Sequence, residues 1–184
     1  MVETASTICK FGWKAQDFAL KGTDGRTMRF ADVRGSNGTL VIFLSNTCPY
    51  VRGVISRIVE EAKALQVIGI GVIGIMSNVG DPRDSFDAMK EFARQNDFSF
   101  PYVEDPTQEG ARAYEAQCTP DFFGFNAKDE LQYRGRLDAS RRELVPGARR
   151  DLFEAMKQIA DTGQGPAEQI PSMGCGIKWR ENVA

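Results

Sequence analysis

Four cysteines and no histidine define the covalent chemistry that this 184-residue chain can offer. Without histidine it cannot build a Ser-His-Asp or Cys-His nucleophile, and it cannot form a metal site that needs an imidazole ligand. A cysteine thiolate is itself a nucleophile and needs no such partner. The candidates are Cys9, Cys48, Cys118 and Cys175.

The spacing of these cysteines disfavours two common uses of the residue. No pair shows the C-x-x-C spacing of zinc sites and dithiol turns, so we expect no metal and no other cofactor. Scattered cysteines in a reducing compartment are more often buried apolar residues than disulfide bridges. The surrounding sequence must therefore indicate which cysteine is reactive.

Cys48 lies between a predicted strand and a predicted amphipathic helix. Residues 39–44 form an apolar run of strand length, and apolar residues recur with helical spacing over 51–65. Reaction sites of parallel α/β units lie at the carboxyl ends of strands, and the positive end of a helix stabilises a thiolate there. Arg52 or a more distant arginine could add to this. Cys48 is the predicted nucleophile, and an unreactive buried cysteine is the competing interpretation.

The elements around Cys48 predict one α/β domain that covers residues 1–184. An Asp-Gly turn predicts an N-terminal hairpin between 18–20 and 28–30, and a second apolar run at 67–76 predicts a parallel crossover with the strand before Cys48. This order predicts a central mixed sheet flanked by helices.

The second half of the chain continues this pattern. It predicts helices from 84 or 85 and from about 107 to 116, an antiparallel strand pair at 121–125 and 130–137, and a last helix that ends at Gly163. Residues 164–184, rich in glycine and proline, are expected to form an irregular tail packed on the domain.

Charge and hydropathy exclude two classes of partner. Lysine plus arginine number 23 and aspartate plus glutamate 25, without a long block of either sign, so no nucleic-acid partner is predicted. The longest apolar run is far short of the roughly 20 residues that span a bilayer, and the first residues lack the apolar core of a signal peptide. We therefore expect no membrane partner and a cytoplasmic location.

Four segments resemble motifs of a known family. They read LSNTCPYV at 44–51, CTPDFFGF at 118–125, YRGRLD at 133–138 and PSMGCGIKW at 171–179. In these motifs the chain is similar to the thioredoxin-like redoxins, and more narrowly to the peroxiredoxin-like branch of alkyl hydroperoxide reductase and thiol-specific antioxidant proteins. The resemblance implies a thioredoxin-like fold and an antioxidant, redox-active cysteine at Cys48.

The resemblance also implies roles for four further residues. Thr119-Pro120 matches the Thr-Pro pair whose cis peptide faces the active cysteine in this fold. Cys118 would then approach Cys48 as a distal resolving thiol, which requires Cα atoms within roughly 7 Å, and a buried apolar role is the alternative. Ser45 matches the threonine or serine that precedes the peroxiredoxin cysteine by three residues.

Two positions depart from the family patterns. Val51 stands where thioredoxins carry their second cysteine, and Val41 stands where typical peroxiredoxins carry a proline. The peroxide-binding arginine of peroxiredoxins has two candidate counterparts, Arg134 and Arg136, which strand alternation places on one face. Solvated edge charges are the favoured interpretation of both.

The C-terminal motif and the first cysteine have simpler interpretations. Cys175 could act as an alternative resolving thiol, but the favoured interpretation is a strap that packs Ile177 and Trp179 over an exposed face. Cys9 precedes the resemblance and is interpreted as incidental.

The predicted function is a thiol peroxidase or a thiol-disulfide oxidoreductase. Its partners would be a peroxide or disulfide substrate and an external thiol reductant, and the oligomeric state stays open, a homodimer included. Since a fold does not fix a function, two alternatives remain. One is a thioredoxin-fold binding module without rapid redox chemistry that recognises a ligand beside Pro120, and the other is a redox-sensing structural protein.

Overall fold

The structure is a computed structural model that describes residues 2–181. Its strands are β1 (Glu3–Ala5), β2 (Ala19–Gly22), β3 (Thr27–Arg29), β4 (Gly38–Leu44), β5 (Ile70–Met76), β6 (Tyr102–Glu104), β7 (Cys118–Thr119), β8 (Asp121–Phe125), β9 (Leu131–Tyr133) and β10 (Met173–Gly176). Its helices are α1 (Phe30–Val33), α2 (Pro49–Arg52), α3 (Ile55–Val67), α4 (Phe86–Gln95), α5 (Glu109–Ala113) and α6 (Asp151–Thr162). None of these helices is both long enough and apolar enough to cross a membrane.

The main sheet is built around two apolar strands that pair in parallel. β4 and β5 lie side by side with Leu40 opposite Val72, and every residue of β4 is buried. Strands covered on both faces have continuous apolar sequences, which is why β4 could be predicted. The full strand order is β3-β2-β6-β5-β4-β8-β9. The parallel crossover, the β2–β3 hairpin and the antiparallel β8–β9 pair are confirmed.

The core lies on both faces of this sheet. Leu40, Ile42 and Leu44 of β4 pack with α3, α4 and α6, whereas Val41 and Phe43 pack with α1 and α5. This division follows from the alternation of side chains along a strand. The predicted α/β architecture, a central mixed sheet flanked by helices, is confirmed.

Helix boundaries with a local signal agree with the sequence. The hydroxyl of Ser85 accepts a hydrogen bond from the backbone N–H of Ala88 and caps α4. Gly163, in the left-handed conformation, ends α6. Short elements without such signals were missed, as was β6, whose three residues are too few to show a periodicity.

A second sheet joins the two ends of the described chain. β10 lies between β1 and β7 and is antiparallel to both. The prediction of an irregular tail was therefore wrong for residues 173–176, and residues 182–184 of that tail lie outside the described part. The sequence Met-Gly-Cys-Gly of β10 lacks the β-branched and aromatic residues that mark strands. Its pairing partners, distant in sequence, define this strand.

Candidate active site

Cys48 lies where β4 has ended and α2 begins. It occupies the N-cap position of α2, with Pro49 at the first helical position, and its carbonyl oxygen accepts the N–H groups of Val51 and Arg52. The side chain is only 1% exposed. The predicted place of Cys48, at the carboxyl end of a central strand and the head of a helix, agrees with this geometry.

The helix that follows Cys48 is shorter than predicted. α2 ends at Arg52 and α3 begins at Ile55, so the expected helix over 51–65 is broken. The break lies at Val54, whose φ of −126° and ψ of 4° leave the helical region, whereas Gly53 before it is still helical. Helix dipoles sum over aligned peptides, so a single turn adds less positive potential at Cys48 than the predicted long helix would.

Arg52 was one of the arginines that could add positive charge beside the thiol. One of its guanidinium nitrogens donates to the carbonyl oxygen of Asn46 at 3.0 Å. Arg52 therefore ties down the loop that precedes Cys48.

The sulfur of Cys48 has two close polar neighbours. Its Sγ lies 2.7 Å from the Sγ of Cys175 and donates to the carbonyl oxygen of Thr119 at 3.1 Å. The peptide between Thr119 and Pro120 is cis, as the resemblance implied. The structure thus brings together Cys48, the Thr-Pro pair and the cysteine of the C-terminal strand.

The register of β7 against β10 decides which second cysteine meets Cys48. Cys175 pairs with Thr119, and Gly176 pairs with Cys118. Paired residues share a face and successive residues alternate, so the side chains of Cys118 and Cys175 point to opposite faces of this ladder. Cys118 donates instead to the carbonyl oxygen of Pro120, at 3.6 Å. The geometry places Cys175, the alternative resolving thiol, against Cys48, and the resolving role expected for Cys118 stays a prediction.

Burial governs the titration of the other thiols. Burial, followed by the hydrogen bond and charge of Cys48, raises the pKa of Cys175 to about 12, while the backbone N–H of Tyr50 acts in the opposite direction. Burial, followed by the charge of Asp121, raises the pKa of Cys118 well above its usual range. At neutral pH both thiols keep their protons. Cys175 is therefore a proton-carrying neighbour of Cys48.

Cys9 lies apart from this pair of sulfurs. It packs at the edge of the hydrophobic cluster on the α1 and α5 side of the sheet, whereas Cys48 and Cys175 belong to the cluster on the opposite side. Burial raises the pKa of Cys9 to about 11. Its placement agrees with the interpretation that Cys9 is incidental to the site.

Ser45 lies in a loop that one buried carboxylate holds in place. The hydroxyl of Ser45 donates to Asp84 at 3.1 Å, the backbone N–H of Asn46 at 2.9 Å and the hydroxyl of Thr47 at 3.1 Å. The hydroxyl of Ser45 thus contacts Asp84, and its role at Cys48 stays a prediction. Asp84 was missed as a site residue because nothing in its local sequence distinguishes it from a helix-capping aspartate.

The same network reaches the tail that carries Cys175. The side-chain amide of Asn78 donates to Asp84 at 3.3 Å, and its oxygen accepts the backbone N–H of Lys178 at 2.9 Å. The ammonium group of Lys178 extends to Thr47 at 3.5 Å. The loop before Cys48 and the segment after Cys175 therefore share one set of hydrogen bonds.

The N-terminal strand covers the other side of Cys175. Glu3 of β1 is paired with Cys175 in the ladder, and its carboxylate accepts a short hydrogen bond from the hydroxyl of Tyr50. That hydrogen bond, followed by burial, raises the pKa of Tyr50. The guanidinium of Arg142 lies 5.0 Å from the centre of the Tyr50 ring, and Arg141 pairs with Glu3 at 3.6 Å. The two sulfurs are enclosed by both chain ends.

The two candidate arginines are engaged elsewhere. Arg134 is 3% exposed, pairs with Asp121 at 3.2 Å and stacks on Phe123, so its interpretation as a solvated edge charge was wrong. Arg136 pairs with Asp151 at 2.8 Å. Both residues follow the last residue of β9, so the strand alternation that placed them on one face does not apply.

The tail acts as a strap only in part. Ile177 is buried in the core as expected, but Trp179 is 41% exposed, and its ring carries the guanidinium of Arg112 at 4.7 Å. Pro120 lines a small cavity of about 60 Å³ together with Tyr50 and Met173. Over residues 2–181, acidic and cysteine side chains form no group of three that could hold a metal ion.

Comparisons with known proteins find solved structures that are similar over nearly the whole chain. A solved structure of an uncharacterized conserved protein from Geobacillus kaustophilus is 36% identical, with a TM-score of 0.93, over 100% of this chain and 99% of that chain. A hypothetical protein from Sinorhizobium meliloti is 31% identical, with a TM-score of 0.88, over 96% and 97% of the two chains. No curated protein matches.

More distant structures and a family model define the class. A thiol:disulfide interchange protein of the thioredoxin family from Chlorobium tepidum is 18% identical, with a TM-score of 0.63, over 81% of this chain and 97% of that chain. This likeness shows a thioredoxin-like fold. The model of the AhpC/TSA family matches residues 11–135, more than half of the chain, and this family supports a thiol redox function in broad terms. The chain belongs to the AhpC/TSA family.

Proposed function

We propose that this protein is a thiol peroxidase in which Cys48 is the nucleophile and Cys175 is its disulfide partner. The observation that carries the proposal is the 2.7 Å contact between the two sulfurs, beside the cis Thr119–Pro120 peptide. Cys175 takes the role that the sequence favoured for Cys118. Val51 stands where a C-x-x-C motif would have its second cysteine, and Cys175 provides the second thiol instead.

The reaction proceeds in two balanced steps. The Cys48 thiolate attacks one oxygen of a hydroperoxide, the O–O bond breaks, and the departing oxygen takes a proton and leaves as water or an alcohol, so Cys48 becomes a sulfenic acid. The sulfur of Cys175 then attacks the Cys48 sulfur, an S–S bond forms, and the hydroxyl leaves as water. An external thiol reductant restores both thiols.

The enclosure of Cys48 favours a small oxidant. With 1% of its surface exposed, Cys48 offers little room for the in-line approach of a bulky disulfide. Hydrogen peroxide or a short alkyl hydroperoxide needs less room at the sulfur than a disulfide does.

Mass spectrometry after stoichiometric hydrogen peroxide tests the proposal. The wild type should yield a peptide pair linked through Cys48 and Cys175. C175S should retain a Cys48 sulfenic acid that dimedone captures, while C48S should yield neither product, and C118S should behave like the wild type. Oxidation of Cys48 no faster than that of free cysteine, or a dominant Cys48–Cys118 bridge, would contradict the proposal.

A second candidate function is thiol-disulfide exchange, which the engagement of the arginines favours. Arg134 and Arg136 are paired with Asp121 and Asp151, so each guanidinium group is already engaged by a carboxylate. Second-order rate constants of the reduced protein with hydrogen peroxide and with oxidised glutathione decide between the two functions. A faster reaction with the disulfide would select exchange. Failure of both reactions would exclude both functions and leave the binding module as the better description.

A further inference from the structure

We propose that Gly174 is a positioning residue that lets Cys175 close the disulfide with Cys48 in the folded protein, without prior opening of the tail. The inference rests on the proposed function and concerns its second step. Closure competes with attack of a second peroxide, which would convert the sulfenic acid of Cys48 to a sulfinic acid. The position of Cys175 decides which reaction is faster.

Gly174 lies where β10 approaches the cis Thr119–Pro120 peptide. A Cβ atom at Gly174 would lie 2.0 Å from the carbonyl oxygen of Thr119, 2.6 Å from its carbonyl carbon and 3.2 Å from the nitrogen of Pro120. These are backbone atoms of the neighbouring strand, and they cannot rotate out of the way as the end of a side chain can. Only glycine permits this approach of the two strands.

The atom that excludes a side chain at Gly174 is also a contact of the nucleophile. The carbonyl oxygen of Thr119 accepts the hydrogen bond from the Cys48 thiol at 3.1 Å, and Thr119 is the ladder partner of Cys175. Thr119 therefore lies against both residues that carry the sulfurs. A strand displaced by a side chain at Gly174 would carry the sulfur of Cys175 away from that of Cys48.

The positions of the two sulfurs leave little movement for closure. They lie 2.7 Å apart, and a covalent S–S bond is about 2.05 Å long. Cys175 is held on both sides, by Glu3 of β1 and by Thr119 of β7. A reacting group held in this way acts at a high effective concentration, and a displacement on the order of 1 Å can lower a rate by about 100-fold.

Gly176 provides a matched control on the other side of Cys175. A Cβ atom there would meet the hydroxyl oxygen of the half-buried Thr4 side chain at 3.0 Å. That hydroxyl can rotate away, so an alanine at this position leaves the strands in place. G174A and G176A thus make the same chemical change in one strand with different consequences for the sulfur of Cys175.

Rapid-quench measurements with hydrogen peroxide separate the two steps. Loss of the Cys48 thiol reports the first step, and the appearance of the Cys48–Cys175 disulfide, against dimedone adduct and sulfinic acid, reports the second. In G174A the first step should keep its rate within about threefold, while closure should slow by at least about tenfold, with sulfinic acid accumulating. G176A should close as fast as the wild type, and C175S should not close.

Two results would overturn the inference. One is a G174A variant that closes as fast as the wild type, and the other is equal slowing in G174A and G176A. If no variant oxidises Cys48, the proposed function fails instead, and the two failures are distinguishable.

The wild type gives a test that does not depend on whether G174A folds. Urea below the unfolding transition increases the fraction of molecules in which the C-terminal tail is open. If the Cys48–Cys175 disulfide forms without opening of the tail, its rate of formation should not rise with urea. Acceleration with urea would overturn the inference.

Discussion

Two segments deliver the two sulfurs to the site, and they are fixed in different ways. The loop 45–47 before Cys48 is held by side chains, since its polar groups converge on the carboxylate of Asp84. The strand that carries Cys175 is held by main-chain ladders to β1 and β7 and by the close approach at Gly174. Removing one side chain can therefore release the loop, whereas the strand depends on pairing and on the lack of a side chain.

The largest expected effect comes from the loop. Asp84→Asn keeps the shape of the side chain but turns an amide donor toward groups that themselves donate, so buried donors lose their acceptor. We expect a loss of about 2–3 kcal/mol in the free energy of unfolding and faster alkylation of Cys48 in the folded protein, because a released loop exposes the buried thiol. Urea unfolding at neutral pH measures the stability. The control is Asp87→Asn, whose carboxyl is 95% exposed and should cost less than about 0.5 kcal/mol.

A small loss of unfolding free energy in Asp84→Asn would remove the contrast between the two segments. If this loss matched that of Asp87→Asn, the loop would be held by its backbone, as the strand is.

An intermediate effect is expected where the two segments meet. Tyr50→Phe removes the hydroxyl that donates to Glu3 of β1 and should cost about 1 kcal/mol. Because Glu3 is the ladder partner of Cys175, hydrogen exchange of the β1 amides and alkylation of Cys175 should both accelerate. The control is Tyr133→Phe, which removes a hydroxyl bonded to the carbonyl oxygen of Arg136.

The Tyr133 variant should lose similar stability without loosening β1. Equal acceleration of Cys175 alkylation in both variants would show that Tyr50 has no specific hold on the N-terminal strand.

The smallest expected difference concerns alkaline pH. Burial raises the pKa of Cys175 from 9.0 to about 12, so between these values the folded protein binds a proton that the unfolded chain has released. The stabilisation is complete below about pH 9 and is lost as pH rises toward 12. Urea unfolding of the reduced protein from pH 7 to about 10.5 should show a decline that is shallower in C175S.

Other buried acids share this direction, so the C175S comparison isolates the contribution of Cys175. Tyr102 and Cys118 are among the groups whose pKa burial raises. If the free energy of unfolding declines equally with pH in the wild type and in C175S, the assignment of a retained proton to Cys175 is contradicted.

Local signals explain how much of the fold could be predicted. The continuous apolar sequence of β4 identified the central strand, and Ser85 and Gly163 marked helix ends, because each feature acts on its immediate neighbours. Short or atypical elements such as β6 and β10 lack these signals. Asp84 escaped notice because its importance lies in groups that the fold brings to it from residues 45–47 and 78.

The sequence by itself determined where Cys48, the proposed nucleophile, lies, since a buried strand followed by Cys48-Pro49 defines a strand-helix junction from adjacent residues. Only the tertiary structure decided which cysteine faces it. Cys118 and Cys175 lie on neighbouring strands, and a shift of one residue in their pairing would put both side chains on the same face. Register depends on the packing of both strands together. The close approach of β10 to the carbonyl group of Thr119, which glycine at position 174 allows, also favours Cys175.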